Sequence, residues 1–484
     1  MAAGSPLRTK ASAIIAFICE YLHDVVWDPL SYALHDVRDT MVERHRVFAQ
    51  RALPPVAIWT IVLTFAGHGV RNLLGWWGFG IVAALTLVVA SALFVIAGRR
   101  LLLRRIPLLP ATFVLWCTLS VLWSQYPLET SVASMMSIAT TLGGLLIAIA
   151  FPLRELLDIF TAGFKWILSL SLALELFVEI FVGHRIPPFY MRDWPYVADS
   201  QYWVNALLFE GGPIQGFVGN RNPLAFVALL CLLCVILIWL DRREKTLSSL
   251  VWIAVCITVL ALTRSATVII ASLICATVLL AALGLRLLKP PMRRYVFIVL
   301  LAMAALSVVV SFFAHEHISD WTNRSSDLSG RGLIWSRLFN LWERHPILGW
   351  GWIMYWAPWI PMFRRLVVRG DGTPTMSAHN AYIEALFQTG IIGAAILIIA
   401  VIAVSGSVIH VAYSNISRSY LTLAPMLLVC ALVVQSFTES RLISEGNWVL
   451  FVAIATWLVV RVYPMRATAK EPLIAVHEGD RDAV

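Results

Sequence analysis

The run Ile391-Ile-Gly-Ala-Ala-Ile-Leu-Ile-Ile-Ala-Val-Ile-Ala-Val-Ser-Gly-Ser-Val-Ile-His410 contains no charged side chain apart from what His410 can carry. As a helix it rises about 30 Å, the thickness of the hydrocarbon core of a bilayer. Inside that core no water can take up an open backbone N–H or C=O, so the segment must close its own hydrogen bonds as a helix. Just upstream the chain reads Ser377-Ala-His379-Asn380-Ala-Tyr382-Ile-Glu384. A His-Asn pair therefore opens the helix that runs into this span. Polar and ionisable groups are costly at membrane depth, so such a pair at the mouth of an apolar segment points to function.

The same pattern repeats along the chain. Of 484 residues 60% are hydrophobic and only 13% charged, and the mean hydropathy is +0.80. A soluble protein of this size would be about a quarter charged. Twelve runs are long enough to span: 53–70, 76–97, 106–123, 131–151, 159–182, 223–240, 247–262, 266–288, 295–313, 391–410, 420–437 and 447–460. Strands are excluded, because spanning strands would alternate over about ten residues. The expected fold is an all-α polytopic membrane protein of about twelve transmembrane helices. The positive-inside rule then orients it. With the N-terminus inside, Arg99 to Arg105, Asp241 to Lys245 and Arg286 to Arg294 fall on the cytoplasmic side, and all five lysines lie in or near it.

This reading divides the chain into a cytoplasmic segment 1–52, helices one to nine over 53–313, an outer loop 314–378, helices ten to twelve over 379–463 and a cytoplasmic tail 464–484. In the first segment Ile14, Phe17, Ile18, Tyr21, Leu22 and Val25 recur at helical spacing, as in a helix lying on the inner surface. The formal charge of +9 is mostly topology, with no basic soluble domain to bind nucleic acid. The seven cysteines avoid the outer loops, so no disulfide framework is expected there, and Cys231-Leu-Leu-Cys234 lacks the second pair a metal site would need.

The outer loop runs against the charge rule. Between Ala314 and Ala378 it holds seven Arg, no Lys and seven Trp. A planar guanidinium grips oxyanions with two parallel hydrogen bonds, which suits phosphate. Some of these arginines could instead pair with Glu343 or Asp371, and the tryptophans could form an interfacial belt or stack on sugars. Arg331 stands between two glycines, followed by a helical pattern in Leu333, Ile334, Trp335, Leu338, Leu341 and Trp342. Two further arginines sit at span ends. Asn220-Arg221-Asn222-Pro223 opens a helix, with Asn222 as its expected cap and free N–H groups that attract anions. Arg264, in the tight turn Thr263-Arg264-Ser265, has no acidic residue within fifteen positions.

Taken in order, Gly219-Asn220-Arg221-Asn222, Thr263-Arg264-Ser265, Gly330-Arg331 with Ile334-Trp335, Pro346 with Gly349 and Gly351, and His379-Asn380-Ala-Tyr382 with Gly390 and Gly393 resemble the O-antigen ligase and polymerase superfamily over about residues 53–460. The stretch from Gly349 to Trp359 looks most like the exopolysaccharide polymerases, while residues 1–52 depart from the usual pattern. The resemblance implies a GT-C-like membrane glycosyltransferase with a large extracytoplasmic loop between helices nine and ten, in the cytoplasmic (inner) membrane. Its partners would be an undecaprenyl-diphosphate-linked glycan donor, a glycan or glycolipid acceptor and membrane lipids, with no cofactor and no metal. It further implies His379 as general base, Arg264 and Arg331 as diphosphate ligands, and Arg221, Asn220, Asn222, Asn380, Tyr382 and Trp335 in substrate binding. A lipid-linked glycan flippase or exporter would also need buried arginines. It should show internal repeats and charges within many spans, and the sequence carries neither.

Overall fold

The computed structural model describes residues 28–241, 245–299, 331–368 and 372–462. Among them the chain is helical, with isolated bridges joining Ile186 to Val204 and Val368 to Pro374 and no strand. The helices that matter here are α1 (Asp28–Phe65), α2 (Gly67–Ile96), α3 (Leu108–Leu119), α4 (Pro127–Ala150), α5 (Leu153–Phe177), α6 (Arg221–Leu240), α7 (Thr246–Thr263), α8 (Ala266–Leu287), α9 (Arg331–Trp342), α10 (Ala381–Ser414), α11 (Ala424–Ser436) and α12 (Glu445–Trp457). Eight helical segments of the described residues are long and apolar enough to cross a membrane, and α3 and α11 belong to shorter apolar ones. The charged helix α5 is as long, but it carries Arg154, Glu155, Asp158, Lys165 and Glu175. The expected surface helix near residues 14–26, most of the expected span 295–313, the loop residues 314–330 and the tail 464–484 lie outside the described residues.

Helices that are apolar all round cannot be ordered by pattern, so packing decides which are central. Helix α6 buries 78% of its apolar stretch and the helix from Glu445 72%, whereas α2 buries 11%. Helix α12 lies along α4, α6 along α7, and α1 along both α2 and α5. A side chain at Gly144 would stand 2.8 Å from the Val449 carbonyl oxygen, so the small residue permits the α4–α12 approach. Polar groups on α4 turn inward rather than to lipid. Ser137 accepts from the Trp352 indole (2.9 Å) and Thr141 from the Trp448 indole (2.8 Å).

Two boundaries differ from the sequence reading. The first span ends at Phe65, and the next helix starts at Gly67 but breaks at Gly75 (φ 71°, ψ −178°), so that its longer, apolar part starts at the expected Trp76 behind a short helical segment the reading did not foresee. The turn at Ala66 carries no proline or charge, so hydropathy runs straight across it, and His68 falls within the first turn of α2. Upstream, α1 is continuous from Asp28 past the expected limit at residue 52, through Pro54 and Pro55.

Helix α10 also extends further outward than its apolar run, and it is broken. Gly390 adopts φ 67° and ψ −173° inside it. The turn over Pro346–Gly351 fills the break. Ile391 N–H donates to the Pro346 carbonyl (2.9 Å), and Gly351 N–H donates to that of Gln388 (2.9 Å). The Trp116 indole donates to the Thr389 carbonyl (3.0 Å). These backbone groups beside the glycine thus find partners inside protein, the condition for irregular backbone at membrane depth. This explains why Pro346, Gly349, Gly351 and Gly390 occur together.

Three of the six described tryptophans between Arg331 and Val368 are core. Trp350, Trp352 and Trp356 are buried, and Trp356 stacks on Phe363 with ring centroids 5.7 Å apart. Neither a lipid belt nor a sugar platform describes these three. The predicted loop helix is α9. Its buried face, Ile334 and Leu338, packs on this aromatic cluster rather than on the membrane surface alone.

Candidate functional site

Asn380 caps α10 as the sequence suggests: its Oδ1 accepts from the N–H groups of Tyr382 (2.9 Å) and Ile383 (3.0 Å). Capping of this kind removes two of the orphan donors of the first turn. His379, immediately before the cap, has φ +51°. That left-handed backbone is uncommon for a side chain with a Cβ and persists only where surroundings impose it. Several contacts do so. The Trp335 indole donates to the Ala378 carbonyl (2.9 Å), and the Ala378 N–H donates to Glu384 Oε2 (2.6 Å). Glu384 is fully buried on α10 and also accepts from Trp356, Gln388 and Ser440. Four donors lock this carboxylate, and it locks the segment carrying the histidine.

The imidazole meets a carboxylate that the sequence reading did not select. His379 Nδ1 lies 3.1 Å from Glu439 Oε2. Glu439 sits in the turn between α11 and α12 and is buried. Its other oxygen accepts from Asn222 Nδ2 (2.9 Å), and Asn222 Oδ1 in turn accepts from Ser265 Oγ (3.0 Å). Burial opposes the charge on Glu439, yet the hydrogen bonds from His379 and Asn222 and the nearby Arg441 hold its carboxyl below the usual range. An ionised carboxylate at Nδ1 places the ring proton there and leaves the Nε2 lone pair to accept another.

Asn222 is therefore not the helix cap. Asn220 is, with its side chain accepting from Asn222 N–H (3.0 Å). Helix α6 begins at Arg221, two residues before Pro223, because N–H groups of a first turn need no intrahelical partner and proline costs nothing there. Starting the helix early frees the Asn222 side chain to bridge Glu439 and Ser265. Arg221 stands exposed at the first helical position beside it.

The two principal arginines reach this cluster through different neighbours. Arg331, the first residue of α9, donates from Nη2 to the carbonyl of Thr438, next to Glu439 (2.9 Å). Arg264 is exposed, has φ +47°, and reaches the Glu210 carbonyl at 3.5 Å. It adjoins Ser265, and so joins the histidine through Ser265, Asn222 and Glu439. Arg331 and Arg337 meet backbone carbonyls, of Thr438 and Leu366. Asn380 and Tyr382 face the same turn but serve as fasteners: Asn380 Nδ2 donates to the Phe437 carbonyl (3.2 Å) and the Tyr382 hydroxyl accepts from Ser436 Oγ (3.0 Å). Trp335 holds Ala378, as above. These three, expected to bind substrate, here position the histidine segment.

The turn 437–444 is the element that sequence reasoning missed. Thr438, Glu439 and Ser440 respectively meet Arg331, His379 and Glu384. Its signal was present: Glu439 and Arg441 lie in a short turn between two apolar runs, the argument that singled out Arg264. Among the described residues, no three His, Cys, Asp or Glu side chains are grouped as metal ligands.

Residues 249–398 match the family model for O-antigen ligase. Over that stretch the chain is similar to the O-antigen ligases. No curated protein matches it. The matched stretch includes Arg264, Arg331, Trp335, His379, Asn380 and Tyr382, while Asn220, Arg221, Asn222 and Glu439 come from outside its limits. Together with the all-helical architecture, it supports a multi-pass membrane protein that ligates or polymerises glycans.

Proposed function

We propose that this protein is a metal-independent, inverting glycosyltransferase of GT-C-like design that moves a glycan from an undecaprenyl-diphosphate donor to an acceptor hydroxyl at the outer face of the cytoplasmic membrane. The observation that carries the reading is the contact of His379 Nδ1 with Glu439 at a helix mouth, with Arg331 bonded to the neighbouring Thr438 carbonyl and Arg264 adjoining Ser265, which reaches Glu439 through Asn222. In the proposed step Nε2 takes the proton of the acceptor hydroxyl as its oxygen attacks the anomeric carbon. The bond from that carbon to the diphosphate oxygen breaks, and the diphosphate leaves with the electron pair. Arg264 and Arg331, with Arg221 beside them, stabilise the charge that develops on it. Glu439 stabilises the imidazolium formed. Attack opposite the leaving group inverts the anomeric centre.

Twelve spans complete the topology if α3, α5, α11 and the expected span 295–313, of which residues 295–299 are described and helical, are counted with the eight long ones. The ends that carry Arg264, Asn222 and His379 are then all extracytoplasmic. The lysine distribution supports this orientation.

The experiment follows lipid-linked glycan in cells and with purified protein. His379→Ala is expected to lower transfer by about 10²–10⁴-fold while flipped, untransferred donor accumulates and donor binding persists. Transfer by the unaltered protein is expected to survive EDTA. Near-normal turnover in His379→Ala would refute the catalytic assignment, and loss of flipping in the same variant would favour an exporter.

A further inference from the structure

Helix α5 carries polar groups that the mechanism leaves unused, and three of them face the first outer loop. Ser171, Glu175 and Glu179 recur every four residues along α5 and the turn Val178–Val182 that continues it, so they stand on one face. Ser171 and Glu175 are buried and Glu179 is half-buried. Each accepts from loop backbone. Ser171 Oγ takes the Phe217 N–H (3.1 Å), Glu175 Oε1 takes those of Gln215 (2.9 Å) and Gly216 (2.7 Å), and Glu179 Oε2 takes that of Leu208 (3.1 Å). Buried irregular backbone needs such acceptors, so this side of the loop alone shows only structural support.

The other side of the same loop meets Arg264. Ile214 N–H donates to the carbonyl of Leu262 (3.1 Å), two residues before the arginine. Gly212 approaches so closely that an added Cβ would fall 2.0 Å from that carbonyl oxygen, and a Cβ on Gly211 would fall 3.2 Å from Arg264 Nη2. Among the described residues, the Glu210 carbonyl is the group this guanidinium bonds, at 3.5 Å. Gly212 N–H donates to the Leu207 carbonyl (2.7 Å), which closes the stretch between its two glutamate contacts. The loop 207–217 is thus clamped between α5 and the turn that carries Arg264.

We propose that Glu175 is a positioning residue for the donor diphosphate: through the loop 207–217 it fixes where the Arg264 guanidinium stands, and Glu179 holds the Glu210 end of the same loop. The inference rests on the reading of Arg264 as a diphosphate ligand. Its effect should be selective. Arg331 is held on the Thr438 carbonyl, away from this loop. Phe217 is fastened separately, its N–H by Ser171 and its carbonyl by the Trp203 indole (3.1 Å), so loosening at Glu175 should stop before Asn220.

The test measures affinity for a fluorescent polyprenyl diphosphate with the full chain in lipid nanodiscs. Glu175→Leu should weaken binding about tenfold, the scale of one charge-assisted hydrogen bond. Glu175→Gln should stay within about threefold of wild type, because a single carboxyl oxygen takes both loop N–H groups and an amide oxygen can do the same. Additivity separates positioning from general support. On an Arg264→Ala background Glu175→Leu should weaken binding no further, whereas on Arg331→Ala it should again weaken it about tenfold. Unmoved affinity, or equal additivity on both backgrounds, overturns the inference. Hydrogen exchange read by mass spectrometry needs no ligand. In Glu175→Leu it should rise over 207–217 and over the turn at 262–265, and a rise confined to 215–217 overturns the inference as well. If Glu175→Leu does not fold, Glu179→Leu, which drops one half-buried contact, decides alone on the same two backgrounds. If Arg264→Ala binds the probe as tightly as wild type, the reading of Arg264 as a ligand fails instead, and exchange at its turn decides whether Glu175 positions it.

Discussion

Replacing Gly390 with alanine tests whether the broken helix α10 is what holds the histidine segment. The backbone there has φ 67°, and an added Cβ would fall 2.1 Å from the Ile347 carbonyl oxygen and 2.7 Å from Gly349 N. Left-handed backbone costs a residue with a Cβ about 1–2 kcal/mol. The contact is with backbone, so no side chain can swing away and the 346–351 stretch must withdraw. That breaks Ile391 N–H to Pro346, Trp350 N–H to Phe387 and Gly351 N–H to Gln388, each contributing about 1 kcal/mol. The sum is about 4–5 kcal/mol. Gly406 lies in the same helix with nothing within 4 Å of its Cβ position, so alanine there should be neutral or stabilising by up to about 1 kcal/mol. Purified variants in one detergent would be melted at one scan rate and followed by tryptophan fluorescence. Gly390→Ala should melt about 10 °C below the wild type, at roughly 2–4 °C per kcal/mol, and Gly406→Ala at or above it. If the two melt together, the break is not structural support and the reasoning fails.

Three further outcomes are expected. Glu439→Gln removes a charge-assisted hydrogen bond of about 1.5–3 kcal/mol, so transfer should fall by roughly one to two decades while donor binding holds, as a rate assay with a binding control would show. Because Glu439 has a folded value below its unfolded one, its stabilising contribution is complete above about pH 4.3 and is lost as pH falls through the folded value; melting curves of wild type and Glu439→Gln should therefore converge in acid. Arg331→Lys keeps the charge but loses the guanidinium fork, and should weaken binding of a polyprenyl-diphosphate analogue at constant ionic strength. In intact cells an impermeant thiol reagent should label Trp194→Cys and not Lys289→Cys; most native cysteines described are buried and should stay silent, and the reverse pattern would invert the topology.

Much of this architecture was legible because membrane depth leaves little choice of structure. Uninterrupted apolar runs gave helices α6, α7 and α8 to within a residue or two, and the Asn380 cap could be read from Asn before Ala-Tyr. The turn at Ala66 was not legible, since Phe-Ala-Gly changes neither hydropathy nor charge. His379 and Arg264 stood out as ionisable groups with no acidic residue within four positions, and Arg331, which has Asp327 that close, by the glycines on both its sides. Their actual partners lie far along the chain, 60 residues away for Glu439 and 107 for Thr438, and no periodicity reports on such pairings. The role of Asn222 was hidden for a different reason. A proline can occupy any position of a first turn, so Pro223 could not fix which asparagine caps and which is free.

The contact between His379 and Glu439 also has a temporal side. A membrane protein enters the bilayer from its N-terminus, hairpin by hairpin. Asn222, Ser265 and Arg331 are delivered before the histidine, but Glu439 and the Thr438 carbonyl come with the last helical pair. Until α11 and α12 have been inserted, the imidazole has no carboxylate to orient it and Arg331 has no anchor. The pair proposed to react is therefore among the last features to form, and a chain arrested before residue 439 holds its arginines without the proposed base oriented. Biogenesis would in that way withhold chemistry from an unfinished protein.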